Sequence, residues 1–431
     1  MTIGPVRRGI RGLSRVRGTA ATRRASVVAF MAVMGPGLIT GFAGNDAGGV
    51  TTYTTVGAHY GYALLWLLLI ASISLLVMLE TCARMGAATG KGLSDLIRER
   101  FGVRWTIIAM LALLVANASN VIAEYAGIAA SLGLLGVPTT ISVPVAGVVI
   151  WALIVFASYR VVERALLLLL LAFIAYPLSV IVLRPDWSAV GEGLMPTLVA
   201  DPAVLVAALA LVGTTVTPYL LFYVQASVVD KGIDRASSRY AVVDAWLGAT
   251  LAGLMAFFIV VVAGTVLFPA GVEVGSASDA AGALRPLAGD LAVTLFGMGL
   301  LGASLLGAVV MPLSTSYAIC EAFGWESGIS RRFSEAPVFM GLVTFLLGAG
   351  ALVVLLVPQA SLLPLILVSQ AVNGLLLPIV LFFIVRIATD RSVMGDAVSG
   401  RVRTVLSWGF AGLAGALSVA YIAATAMGIG I

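Results

Sequence analysis

One histidine, His59, stands in 431 residues, which removes every chemistry that needs paired imidazoles, from HExxH proteases to most zinc sites. Two cysteines, Cys82 and Cys320, exclude a Cys-rich metal centre. Both fall near expected cytoplasmic helix ends, where disulfides do not persist, and read as packing residues. No GxxxxGK[ST] phosphate loop occurs, and no polar segment is long enough to hold a nucleotide domain, which argues against a primary ATP-driven pump. Charge is scarce as well: 10% of residues, against roughly 25% in a soluble domain. With 61% hydrophobic residues and a mean hydropathy of +1.10, the chain reads as a membrane protein rather than an enzyme, with no cofactor and no obligate protein partner in evidence.

What is present is a succession of apolar runs, each long enough to cross the ~30 Å hydrocarbon layer. Eleven are expected, at 27–58, 62–88, 104–135, 141–158, 163–183, 203–229, 240–268, 288–322, 336–357, 361–387 and 404–429. With the N-terminus inside, 23 of the 25 Lys and Arg residues fall on the cytoplasmic side and only Arg184 and Arg285 fall outside. This follows the positive-inside rule, so the net charge of +5 is a topology signal rather than a nucleic-acid signal. The C-terminus is then outside and the expected location is the cytoplasmic membrane. The basic start has no short apolar core followed by a small-residue cleavage site, so the first span is expected to be retained. Residues 1–25 form a basic cytoplasmic tail, 26–200 and 201–390 two five-helix repeats, and 391–431 the eleventh helix.

Two spans are interrupted. The first carries Gly35-Pro36-Gly37 and then "GFAGNDAGGV", which sets Asp46 among glycines. A charge at mid-membrane costs about 2.5 kcal/mol or more, and each interior glycine about 1 kcal/mol. The sixth span breaks at "GTTVTPYLLF", where Pro218 removes a backbone donor after Thr214, Thr215 and Thr217. Broken helices at corresponding positions of two halves point to a transporter binding site, and the freed carbonyls of a half-helix C-terminus suit a cation. Asp46 adds a full negative charge there, and it could cap the second half-helix at the same time. The threonines either supply oxygens to the site or bond back to their own helix.

Other polar residues are less decisive. Glu80 lies four residues before Arg84 and is expected to pair with it structurally. Glu124 has no charged neighbour at helical spacing, so it must face a cavity, find a polar partner or stay protonated. Gln370 and Asn373 share one face of the tenth span, where they line the cavity or bond neighbouring helices. Trp66, Trp105 and Trp408 sit near span ends and read as an interfacial belt.

Taken together, "GPGLITGFAGNDAGG", "AHYGYALLWLLLIAS", "RMGAATGKGLSDL", "AEYAG", "TTVTPYLLF" and "SQAVNGLLLP" resemble the Nramp (natural resistance-associated macrophage protein) divalent-metal transporters. The resemblance implies an all-α membrane protein with 11 transmembrane helices and the inverted 5+5 repeat of the bacterial leucine transporter type, helices 1 and 6 broken. It implies a metal held between those helices by Asp46, the backbone carbonyl of Ala43, Thr214 and Thr217. Asn45, Gly49, Tyr219, Glu124, Gln370 and Asn373 are expected to line the site or to stand just behind the residues that do.

The chain departs from the family pattern at several of these positions. The family's Asp-Pro-Gly-Asn falls on Asp46, Ala47, Gly48 and Gly49, so its asparagine is lost. Its Ala-x-x-Met-Pro-His falls on Thr214, Thr217, Pro218 and Tyr219, so thioether and imidazole are lost. Its third-helix acid is Val121, beside Asn120, and no charge lies between Glu335 and Arg386 where the family has ninth-helix arginines. These departures resemble the Nramp-related magnesium transporter branch, since Mg²⁺ prefers oxygen ligands and retained water. The expectation is a transporter of partly hydrated Mg²⁺, also accepting Mn²⁺, without proton coupling. A proton-coupled Mn²⁺ or Fe²⁺ importer and an organic-solute carrier on the same fold remain as alternatives.

Overall fold

The first apolar run is two helices rather than one. In the computed structural model, which describes residues 35–156, 174–196, 202–281, 292–329, 331–358 and 362–426 with Leu284 and Gly289, helix α1 (Pro36–Ala43) stops at Gly44 and α2 (Ala47–Tyr60) restarts after Asp46. Pro36 starts α1 because its fixed φ suits a first helical turn and its missing N–H loses nothing there. The free amides of that turn, Gly35 and Gly37, instead donate to the carboxylate of Asp244, the latter at 2.6 Å. Two glycines let α1 press against its neighbour: a Cβ at Gly37 would overlap the backbone at Ala245, and one at Gly41 the backbone of Gly248.

Downstream come α3 (Leu65–Thr89), the short amphipathic α4 (Leu93–Phe101), α5 (Val103–Leu134), α6 (Thr139–Phe156), α7 (Ala175–Leu183) and α8 (Trp187–Glu192). The second interruption separates α9 (Pro202–Thr215) from α10 (Pro218–Asp230). Thr217 is extended (φ −75, ψ 138), as the residue before a proline prefers, and Pro218 then opens α10. The chain continues through α11 (Ser238–Val266), α12 (Ala277–Ala281), α13 (Ala292–Phe323), α14 (Pro337–Leu356), α15 (Leu362–Ala388), α16 (Arg391–Met394) and α17 (Arg401–Ala426).

All regular structure among the described residues is helical. Nine helices there are long and apolar enough to cross a membrane, counting α9 and α10 as one. They correspond to nine of the eleven expected spans. The first expected span is represented by α1 and α2, and the fifth by α7 from Ala175; the basic tail 1–25, residues 163–173 and Arg285 lie outside the described residues.

The broken helices occupy the middle of the bundle. α11 packs along α1, α2 and α3, while α13 and α15 pack on α5, and α9 lies against α2 and α15. Large apolar side chains such as Val148, Phe345 and Leu356 face outward, as lipid-facing residues do. Polar residues point the other way: Asp46, Asn120, Glu124 and Gln370 are all buried. Glu80 pairs as expected with Arg84 at 3.1 Å and also with Arg403 at 3.1 Å, tying α3 to the start of α17. Cys82 and Cys320 are buried and free.

Candidate functional site

The two breaks face each other. Asp46 is the N-cap of α2: its Oδ1 accepts the Gly49 amide at 2.7 Å, the bond expected of a capping carboxylate. Its Oδ2 accepts the Tyr219 hydroxyl at 3.0 Å, and the same hydroxyl lies 2.5 Å from the carbonyl oxygen of Ala43. The amides that follow, Gly44 and Asn45, bond back to Gly41 and Phe42, so the Ala43 carbonyl at the end of α1 is left to Tyr219. Ser314 of α13 steadies this tyrosine by donating to its carbonyl at 2.8 Å.

A second carboxylate reaches the same helix terminus. Glu124 Oε2 accepts the Ala47 amide, the first of α2, at 3.2 Å, while Oε1 has no partner among the described residues. Gly307 makes room for it: a Cβ there would lie 2.6 Å from the Glu124 carboxyl carbon. Two acids therefore share the positive end of one half-helix, where anions are favoured and a cation would find both.

The threonines divide. Thr215 bonds back to the Leu211 carbonyl at 2.7 Å and meets the Tyr53 hydroxyl at 3.2 Å, whereas the hydroxyls of Thr214 and Thr217 are buried without a partner. An unpaired buried hydroxyl is unfavourable by about 1–3 kcal/mol. Among the described residues no three His, Cys, Asp or Glu side chains converge, so a cation here would draw on carbonyl and hydroxyl oxygens besides carboxylate. None of Asp46, Glu124, Thr214, Thr217 and Tyr219 is more than 1% exposed, so a guest gains access only when helices move.

The sequence pattern described as natural resistance-associated macrophage protein-like matches residues 37–424. The chain belongs to the Nramp family. Among curated relatives, the divalent metal cation transporter MntH of Deinococcus radiodurans is 31% identical over 409 residues, covering 91% of this chain and 89% of the relative. MntH 1 of Pseudomonas aeruginosa is 32% identical over 419 residues, covering 90% of each. In fold, the chain is similar to the Eremococcus coleocola manganese transporter (TM-score 0.77, 21% identity, 92% of this chain and 88% of that one). Mhp1, a nucleobase-cation-symport-1 family transporter, shares the architecture at TM-score 0.53 and 14% identity over 90% of this chain and 92% of its own.

Within this Nramp scaffold, Gly49 and Gln370 stand against the break, whereas Asn45 and Asn373 turn to neighbouring helices. Asn45 turns away from the site and donates to the Ala252 carbonyl of α11 at 3.2 Å, because the residue before the cap faces the neighbouring helix. Gly49 offers only its amide: a Cβ would sit 2.7 Å from the Gly44 carbonyl oxygen, so the tight break leaves no room for a side chain. Asn373 bonds Asn120 of α5 at 2.8 Å and Gln370 at 3.1 Å, which makes it bridging material between helices. Gln370 joins that network and also lays its amide against Gly48, where a Cβ would collide with it.

Two groups escaped the sequence reading. Asp244, which holds the start of α1, is an acid inside the seventh expected span, and the rarity of such acids was signal enough to single it out. Asn120 was noted only as a neighbour of a missing acid, yet it is the hub through which α5 and α15 join.

Proposed function

We infer that this Nramp protein carries a divalent metal cation across the cytoplasmic membrane, with Mn²⁺ as the first candidate. The observation that carries the reading is the meeting of the Asp46 carboxylate and the Ala43 carbonyl at the Tyr219 hydroxyl, where two half-helices break. Such donors fit a hard cation that keeps some of its water. The orientation that fits the distribution of arginines has the N-terminus inside and the C-terminus outside.

The magnesium-first expectation gives way here. Its argument was the loss of the family's thioether and imidazole, but carboxylate, carbonyl and water suit Mn²⁺ as well as Mg²⁺. The relatives are named divalent metal cation transporters, and the structural neighbour is a manganese transporter. Mg²⁺ remains the second reading on one observation, the absence of any sulfur or imidazole donor at the break. The solute-carrier alternative draws support from shared fold alone.

The expectation of uncoupled transport also loses ground, because it treated Glu124 as a lone acid, whereas Glu124 and Asp46 share the start of α2. Glu124 accepts the first amide of the helix that Asp46 caps and keeps its other carboxylate oxygen unpartnered among the described residues. Proton-coupled uptake, with Glu124 taking and releasing the proton while Asp46 holds the ion, is the better-supported mechanism. The α1 half-helix, fastened to α11 through Asp244, is the element whose release would open the site to one side.

The test is uptake into proteoliposomes containing a pH-sensitive dye, with Mn²⁺ and Mg²⁺ offered separately. Metal-dependent acidification with Mn²⁺ preferred supports the reading. Preference for Mg²⁺ without acidification would restore the sequence-based one.

A further inference from the structure

A cleft of about 500 Å³ that shares no residue with the breaks is lined by Arg100, Phe101, Arg386, Thr389, Asp390 and Arg391. Its single acid is already engaged. Asp390 receives Arg100 at 2.6 Å on one oxygen, and the Ser392 amide and hydroxyl at 2.9 and 2.6 Å on the other. Among the described residues no hydrogen-bond or ion-pair partner meets the guanidinium of Arg386 or Arg391. The cleft therefore holds two uncompensated cations beside one neutralised pair.

Next to this bowl stands an aromatic wall on the outside of the bundle. Phe101 meets Phe383 at 5.0 Å and Phe382 at 6.3 Å between ring centres, Trp105 meets Phe383 at 6.3 Å, and Phe382 meets Trp408 at 6.1 Å. Trp105, Phe382 and Trp408 are exposed, and Val402 and Val405 extend the apolar surface along α17. Aromatic rings in such positions sit at the headgroup level of a bilayer.

A free anion would satisfy the arginines and leave the wall unused, whereas a neutral lipid would do the reverse. Guanidinium forks match phosphate oxygens, and basic clefts between helices at a membrane surface select anionic headgroups. We propose that Arg386 and Arg391, with the Phe101–Trp408 aromatic wall, form a binding site for the phosphodiester headgroup of an anionic phospholipid, its acyl chains lying against α15 and α17. The bound lipid joins α4, α15 and α17, which otherwise meet here through the Arg100–Asp390 pair and ring contacts. The site is separate from the metal site and does not depend on the transported ion.

Native mass spectrometry of the full chain in neutral detergent tests this, with phosphatidylglycerol, phosphatidylcholine and inorganic phosphate as probes. Phosphatidylglycerol should be retained and phosphatidylcholine lost, and Arg386→Gln/Arg391→Gln should weaken retention roughly thirtyfold, about fivefold for each arginine. Metal uptake in neutral-lipid vesicles should be unchanged in that variant. Should the double variant not elute as a single species, Arg391→Gln alone carries the test with the fivefold effect. Equal retention of both lipids, or unchanged phosphatidylglycerol binding in the variants, overturns the proposal. So does displacement of the lipid by millimolar inorganic phosphate, which would make the cleft a free-phosphate site.

Discussion

The Tyr219 hydroxyl donates to the Asp46 carboxylate at 3.0 Å and lies 2.5 Å from the Ala43 carbonyl, so one side chain of the sixth span's break occupies the two oxygens of the first span's break that a cation would use. A phenol in that position stands where an ion would bring positive charge. An ion that used those two oxygens would have to displace this hydroxyl.

Tyr219→Phe should therefore tighten metal binding. The hydroxyl competes for both oxygens in the ion-free state, and a hydrogen bond to a charged group contributes about 1.5–3 kcal/mol. Its removal should lower the dissociation constant for Mn²⁺ by roughly tenfold in titration calorimetry, the low end of that range. Weaker binding would instead make the Tyr219 oxygen a ligand of the ion.

The cap that Asp46 forms on α2 and the ion-binding role proposed for it can be separated. Asp46→Ala removes both cap and charge and should abolish uptake of every divalent ion. Asp46→Asn keeps an oxygen for the Gly49 amide, so its melting temperature should stay near that of the parent while uptake falls at least as far as the ion's loss of a charged ligand requires. An asparagine variant with more than half the parent's flux would reduce Asp46 to a structural cap.

Glu124→Gln should uncouple the two fluxes. The amide oxygen of glutamine can still accept from Ala47, so the fold of the α2 terminus is preserved while the proton-carrying group is gone. Mn²⁺ uptake should persist, driven by gradient and potential at about 2.3 kcal/mol per charge per 100 mV, and metal-dependent acidification should disappear. Acidification that survives the change would place the coupling elsewhere.

Ion preference should respond to Thr217, whose hydroxyl is buried without a partner. Thr217→Met introduces a soft thioether and should raise Cd²⁺ and Mn²⁺ over Mg²⁺ in competition uptake. Gly49→Asn is the wrong companion change, because the Gly44 carbonyl lies 2.7 Å from where its Cβ would be. An unchanged ranking would remove Thr217 from the ion's surroundings.

The hold on α1 can be tested at Asp244. Asp244→Ala orphans the Gly35 and Gly37 amides, and loss of such a cap costs about 1–2 kcal/mol. The expected result is roughly tenfold faster thiol labelling at Thr40→Cys, a buried position on α1, because release of that helix is the motion that exposes it. Unaltered labelling would show that glycine packing against α11 holds α1 without the carboxylate.

The sequence by itself determined that this is a helical membrane protein, which two spans break, and that Asp46 sits in one break. Those conclusions rest on local physics: apolar run length, arginine distribution, and glycine or proline where a helix cannot continue. Glu80 with Arg84 was equally legible, since four residues on a helix fix their proximity. Only the tertiary structure decided what each polar group touches. It brought Glu124 to the Ala47 amide, turned Asn45 to α11, left Thr214 and Thr217 unpaired while Thr215 found Leu211 and Tyr53, and set the Tyr219 hydroxyl between Ala43 and Asp46. Apart from Thr215 and Leu211, one turn apart on α9, these partners lie tens to hundreds of residues apart on different helices, so the direction of each side chain depends on how the helices rotate against one another, which a one-dimensional pattern of polar and apolar residues does not encode.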